Sequence, residues 1–175
     1  MLTIRQERAA DVGAREALLD EAFGDIRHRK SSQRLRDGRL PAEGLSFVVS
    51  EGNRVVGTAR LWQAACTSGD PMLLLGPVAV EASCRNRGIG AALVRRALRE
   101  AARLGHSAVI LVGDAPYYGR FGFSAEKTAR LRLLGPFERH RLLALELKPG
   151  ALDGARGLIR AAGRIIPQPA IAAAA

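Results

Sequence analysis

Residues 73–93 read LLLGPVAVEASCRNRGIGAAL. The apolar run Met72–Val80 has the length and continuity of a buried central strand, broken only by Gly76-Pro77. Proline has no N–H for a ladder, so the strand is expected to bulge or splay there. A short loop follows, then the pair Gly88 and Gly90, then a helix. Ile89, Leu93, Val94, Ala97, Leu98, Ala101 and Leu104 share one half of that helix, and Arg95, Arg96, Arg99, Glu100 and Arg103 take the other. Gly105 is placed to end it. Glycines let backbone amides approach a ligand, and a helix start offers unpaired N–H groups and partial positive charge. Arg85 and Arg87 add full charges. Strand, turn and helix together predict a phosphate site.

Three phosphate-binding patterns can be compared with the turn. A P-loop needs Lys-Ser or Lys-Thr after its glycines, and neither is present. A dinucleotide fingerprint needs a third glycine where this chain has Leu93. The pattern [RQ]-x-x-G-x-[GA] after an apolar strand is met in full by Arg85, Gly88 and Gly90.

Downstream, SAVILVGD predicts another buried strand, and Pro116 in APYYGRFGF suits the first turn of a short helix. That nine-residue stretch holds both of the chain's 2 tyrosines and two of its 5 phenylalanines. Upstream, LTIRQE predicts an opening strand. Asp11 is placed as the N-cap of a helix that sets Val12, Leu18, Leu19, Ala22 and Phe23 along one side. LSFVVS and RVVGTARLWQA, separated by EGN, predict a hairpin. RHRKSSQRLRDGRLP is basic, poor in apolar residues, and expected at the surface. RLLALELKP predicts a late strand. Beyond Pro149 the chain is expected to form a loosely docked helix and then a frayed tail. The order of elements makes a mixed α/β (α+β) sheet with helices on its faces. A single domain over 1–148 carries a C-terminal extension over 149–175.

The 175 residues are enough for one core, and the net charge of +10 is carried almost entirely by arginine. Such an excess favours polyanionic partners: nucleic acid, a membrane surface or a phosphate-rich cofactor. Cys66 and Cys84 form no CxxC pair, and His28, His106 and His140 lack metal spacing, so neither a disulfide framework nor a metal site is expected. His106 is expected to cap the helix before it, and Cys84 has nothing beside it to mark it as a nucleophile. No apolar signal core or bilayer-length run is seen. A cytoplasmic protein of bacterial style is expected.

The turn and the aromatic stretch together resemble the GNAT superfamily of N-acetyltransferases, which use acyl-coenzyme A. The resemblance runs from about residue 2 to about residue 147. It is most specific in residues 73–93 and in GDAPYYGRFGF, which looks like the bacterial subgroup motif GD-x-x-YY-x-x-FGF. It implies a mostly antiparallel sheet splayed between its middle strands, with acetyl-CoA as cosubstrate. The pyrophosphate would lie on Arg85, Asn86, Arg87, Gly88, Ile89, Gly90 and Ala91. The pantetheine arm would bond the free amides of Val78, Ala79 and Val80. In the reaction so implied, an amine attacks the thioester, a tetrahedral oxyanion forms and a thiolate leaves. Tyr118 takes the position of the general acid, since a phenol with a pKa of roughly 10 still holds its proton at neutral pH. The Val78 amide is placed as oxyanion donor. Glu81 or Asp114 could serve as base, although many relatives carry asparagine near Asp114. Tyr117 is expected to wall the cofactor or substrate, and Phe121 and Phe123 to anchor the short helix in the core.

The resemblance implies a primary amine acceptor, small or protein-borne, set by the region from Phe23 to Leu45 and the loop from Ala65 to Met72. A homodimer is left open. An acyl-CoA-binding regulatory domain without catalysis would share the same fold and turn. A nucleic-acid-binding role has only RHRKSSQRLRDGR in its favour, and no aromatic platform interleaves with those arginines. That segment is better read as a basic face lining the acceptor cleft, and no specific nucleic acid is expected.

Overall fold

The computed structural model describes residues 1–167. Its strands are β1 (Leu2–Gln6), β2 (Ser46–Glu51), β3 (Arg54–Cys66), β4 (Pro71–Val80), β5 (Ala108–Val112), β6 (Leu131–Arg132), β7 (Leu142–Glu146) and β8 (Gly157–Ala161). Its α-helices are α1 (Val12–Phe23), α2 (Ile89–Arg103) and α3 (Ala115–Gly119). The sheet runs β1-β2-β3-β4-β5-β7, with β8 also beside β3 and β6 beside β8. Among the described residues only the pairs β4–β5 and β6–β8 are parallel. This is the mixed, mostly antiparallel sheet expected.

Alternation along the strands divides the core. Leu73, Leu75, Val109 and Leu111 pack under the apolar face of α2, with Leu93, Val94, Ala97 and Ala101. Met72, Leu74 and Ile110 point to the opposite face, among Leu131, Leu142, Leu152 and Ile159. On that face α1 brings Leu18 and Leu19 against Val48, Val55 and Ala79. Burying such side chains stabilises by about 1.5–3 kcal/mol each before chain entropy is counted. The C-terminal end of α2 closes as expected: Gly105 adopts φ 85° and its N–H donates to the Ala102 carbonyl. The His106 N–H donates to the Ala101 carbonyl, so His106 caps through its backbone.

Three expectations are corrected. Asp11 stands at the start of α1, but its carboxylate bonds no helix amide. It accepts instead from the Arg8 N–H at 2.7 Å and from two Arg5 nitrogens at 2.6 and 2.8 Å. Val12 is exposed, and the buried side of α1 is Arg15, Leu18 and Leu19. Among the described residues the segment after Pro149 forms no helix: Gly157–Ala161 is β8. The pairing of β2 with β3 ends at Arg60, and β8 takes the next stretch of that edge, Ala64–Cys66. An open edge offering backbone partners outweighs the weak helical tendency of a glycine-rich segment. The expected frayed tail falls at 168–175, outside the described residues. Among the described residues no helix is long and apolar enough to cross a membrane.

Candidate active site

The site begins at the Gly76-Pro77 break. Ala59 pairs with Val78 and Leu61 with Leu75, so two residues of β4 face the single Arg60 of β3. This is the bulge the sequence predicts. Gly76 sits at φ 131°, a region that glycine enters without strain. The Trp62 indole fixes it, Nε1 donating to the Gly76 carbonyl at 2.7 Å. Past the bulge the two middle strands part: β4 pairs with β5 only at Leu73–Val109 and Leu74–Ile110.

Alternation then decides which amides are free. The Glu81 N–H donates to the Val56 carbonyl, and in an antiparallel ladder every second residue bonds the same neighbour. Ala79 therefore bonds β3, while the N–H groups of Val78 and Val80 face the gap beside β5. The expected amide contact at Ala79 is thus corrected: its backbone faces β3 and its side chain packs near Leu18 and Leu19.

The gap has two ends. At one, Val80 meets the glycine turn in a hollow of about 410 Å³ that includes Arg85, Asn86, Gly88, Ile89, Gly90 and Ala91. Asn86 and Gly88 both take left-handed backbone, at φ 62° and 75°, and no side chain caps the start of α2. Successive turns of this kind aim backbone N–H groups at a common point suited to an anion. A Cβ at Gly88 would meet nothing within 4 Å, whereas one at Gly90 would lie 3.1 Å from the Tyr117 hydroxyl. Arg87 does not join this hollow. Its guanidinium donates to Glu51 at 3.0 Å and to the Cys84 sulfur at 3.5 Å, so its charge is engaged on the far side of the turn. Arg120 takes its place, over the Tyr117 ring at 4.3 Å and donating to the Tyr117 carbonyl at 3.0 Å. Sequence reading missed Arg120; the GR-FGF spacing one turn past Tyr117 was the available signal.

At the other end, Val78 and Tyr118 share a cleft with Gly113, Asp114 and the segment after α1. Pro116 and Asp114 start α3, the Asp114 carboxylate accepting the Tyr117 N–H at 3.0 Å. A one-turn helix then sends consecutive tyrosines to opposite ends of the gap, with rings 4.9 Å apart and nearly perpendicular. Phe123 is buried in the core against Tyr118 and Phe121 is partly buried, so both brace α3. Burial pushes the Tyr118 phenol up to about 12, helped by Tyr117 and Asp114 and opposed by Arg141. Glu81 lies elsewhere: it accepts from Arg54 at 2.7 Å and from Ser83 at 2.7 Å, and lines a separate hollow with Leu18 and Glu51. Of the two carboxylates only Asp114 is brought to Tyr118.

The basic segment after α1 forms the outer wall of the cleft, where Arg27, Lys30 and Arg36 face Arg141. The loop from Ala65 to Met72 does not reach it; Ala65, Pro71 and Met72 border a different hollow beside His106. The glycine-turn hollow and the Tyr118 cleft thus lie to either side of the adjacent residues Val78 to Val80 on β4 and Tyr117 and Tyr118 on α3.

Residues 14–123 match the acetyltransferase (GNAT) family. The chain belongs to that family, and is an acyltransferase of the N-acetyltransferase class. Among similar proteins is an uncharacterized N-acetyltransferase, YhbS of Escherichia coli strain K12, 29% identical over 160 residues that cover 90% of this chain and 95% of that protein. The crystal structure of Escherichia coli YhbS in complex with CoA is similar at a TM-score of 0.78 and 27% identity, over 92% of this chain and 89% of the other. A GNAT acetyltransferase from Brucella melitensis, solved with acetyl-CoA, is similar at a TM-score of 0.62 and 26% identity, over 87% of this chain and 99% of the other.

Proposed function

We propose that the protein transfers an acetyl group from acetyl-CoA to a primary amine by direct attack. The observation that carries this is the parting of β4 from β5, which leaves the Val78 and Val80 amides toward a gap that ends at an uncapped helix start. The residues fit the cosubstrate. The amides of Gly88 to Ala91, with Arg85 and Arg120 beside them, would hold the pyrophosphate, and the free amides of Val78 and Val80 would hold the pantetheine arm. Bound there, acetyl-CoA supplies an activated acyl carbon at the Val78 end of the gap.

The chain's own groups do the rest. The Val78 N–H donates to the acyl oxygen as negative charge develops there. Tyr118 holds its proton at any physiological pH, because burial keeps the phenol neutral, and it is the donor to the departing sulfur. Asp114, facing the same cleft, takes the ammonium proton through water; Glu81, held by Arg54, does not. Tyr117 walls the cosubstrate beside Gly90. Purified protein with acetyl-CoA and a panel of amines, followed by thiol release, tests the reading. Amine-dependent release that falls in Tyr118→Phe supports it. Coenzyme A binding without release on any amine favours the regulatory-domain alternative.

A further inference from the structure

Three arginines among the described residues are buried, Arg15, Arg36 and Arg60, and of these Arg36 alone has no carboxylate within ion-pair distance. Arg5 holds Asp11, Arg15 holds Glu7 and Glu16, Arg54 holds Glu81, and Arg87 holds Glu51. Arg36 has no such partner: among the described residues no carboxylate lies within 4.0 Å of its guanidinium. It is only 9% exposed, and its one side-chain hydrogen bond is from Nε to the Gln33 amide oxygen at 3.1 Å. Its Nη1 reaches the bulge, 3.7 Å from where a Gly76 Cβ would stand, next to the amide of Val78. Lys30 and Arg141 line the same cleft. Lys30 lies over the Phe23 ring, and Arg141 donates to the Gly113 carbonyl with Glu138 at 3.8 Å.

Cations held together in a partly buried cleft repel one another and lose hydration. Both effects show: burial, then the charge of Arg60, pulls the Arg36 pKa down to about 10, and burial, then Arg141 and Arg36, pulls Lys30 down. Among the described residues Asp114 is the only carboxylate lining this cleft, and its Oδ2 is occupied by the Tyr117 N–H. The wall has an excess of donors and a deficit of acceptors. A planar guanidinium in the cleft wall beside the bulge matches the two oxygens of a carboxylate or phosphate. Arg27, by contrast, is satisfied by Glu16 and Asp20.

Beyond Lys30 and Arg141 the cleft continues into a hollow of about 390 Å³ whose apolar walls are Val112, Leu133, Pro136 and Phe137. The cosubstrate's phosphates belong to the other end of the gap, at Arg85 and Arg120, so the anion that Arg36 awaits comes from elsewhere.

Resting on the acetyl-transfer reading, we propose that the acceptor is a small amine with a carboxylate or phosphate close to its nitrogen and an apolar substituent. Arg36, aided by Lys30 and Arg141, binds the anionic group, and the hollow at Phe137 takes the apolar part.

The test uses calorimetry on the full chain saturated with CoA, with matched pairs of probes. N-acetyl-L-phenylalanine against its amide reads a carboxylate, and 2-phenylethyl phosphate against 2-phenylethanol reads a phosphate. At least one acid is expected to bind tenfold or more tighter than its neutral partner. That preference should vanish in Arg36→Gln and shrink in Arg141→Gln, with CoA affinity unchanged in both as the control for folding. Equal binding of acid and neutral partner, or a preference that survives in both variants, overturns the proposal. An Arg36-dependent preference without acetyl transfer to any amine supports this site and sinks the transfer reading. Turnover of neutral amines with no acid preference does the reverse.

Discussion

One edge of the Tyr118 ring lies against Gly113, so close that a Cβ on Gly113 would stand 2.5 Å from the tyrosine Cε2. No real contact is that short, so any side chain at Gly113 must displace the ring. The last residues of the β5 segment therefore fix the phenol in the cleft, while Phe123 braces its other side.

Gly113→Ala should therefore lower turnover about as much as losing the phenol, although residue 113 offers no side chain to the chemistry. The displaced ring carries the hydroxyl off its line, and misplacing a donor by about 1 Å can cost on the order of a hundredfold. Steady-state kinetics check this. A variant that retains full turnover would show that the ring position is not used.

Tyr118→Phe keeps the packing and removes only the proton donor. We expect a loss of about tenfold to a thousandfold in turnover, roughly 1.4 to 4 kcal/mol, with a smaller effect on the Michaelis constant. Tyr117→Phe should lose less, since Tyr117 faces the other end of the gap. With the Tyr118 phenol raised to about 12, its ionisation cannot bend the rate profile at neutral to mildly alkaline pH. Wild type and Tyr118→Phe should thus share the same alkaline arm below about pH 11. An arm near pH 9 that disappears in the variant would contradict the burial seen here.

Asp11 sets the response of the fold to acid. Its hydrogen bond with Arg5, and then the Arg8 N–H, lower its pKa from 3.8 to about 2. A carboxylate depressed in the folded state binds fewer protons there than in the unfolded chain. Its contribution is complete above about pH 4 and is lost as pH falls toward 2. Asp11→Asn should cost on the order of 1–2 kcal/mol at neutral pH after allowance for screening, and the cost should fade at low pH. Denaturant melts of both proteins at pH 7 and pH 3 measure the difference.

What could be read beforehand depended on how local each signal was. The β4 run, its bulge, the glycine turn and the α2 face are encoded in one unbroken stretch, residues 72–104, and hydrophobic period and backbone freedom are enough to find them. β8 was missed because its partner lies far away, on an edge of β3 left open by the length of β2. The same limit applied to side chains. Arg87 looked like a phosphate ligand beside Gly88, but Glu51, 36 positions away, claims it. Glu81 looked like a base at the end of β4, but Arg54 holds it. Arg141 reaches the cleft from a separate segment, and no spacing along the chain announces that.

The central claim is that coenzyme A lies along the free edge of β4 with its pyrophosphate on the glycine turn. Calorimetric titration of coenzyme A into the wild type and Gly90→Trp tests it most directly. A Cβ at Gly90 already crowds the Tyr117 hydroxyl at 3.1 Å, and an indole there fills the hollow that the phosphates need. The account predicts a saturable one-to-one isotherm for the wild type, and an affinity at least tenfold weaker for a variant whose circular dichroism is unchanged. A folded Gly90→Trp protein that binds coenzyme A as tightly as the wild type would place the cosubstrate elsewhere.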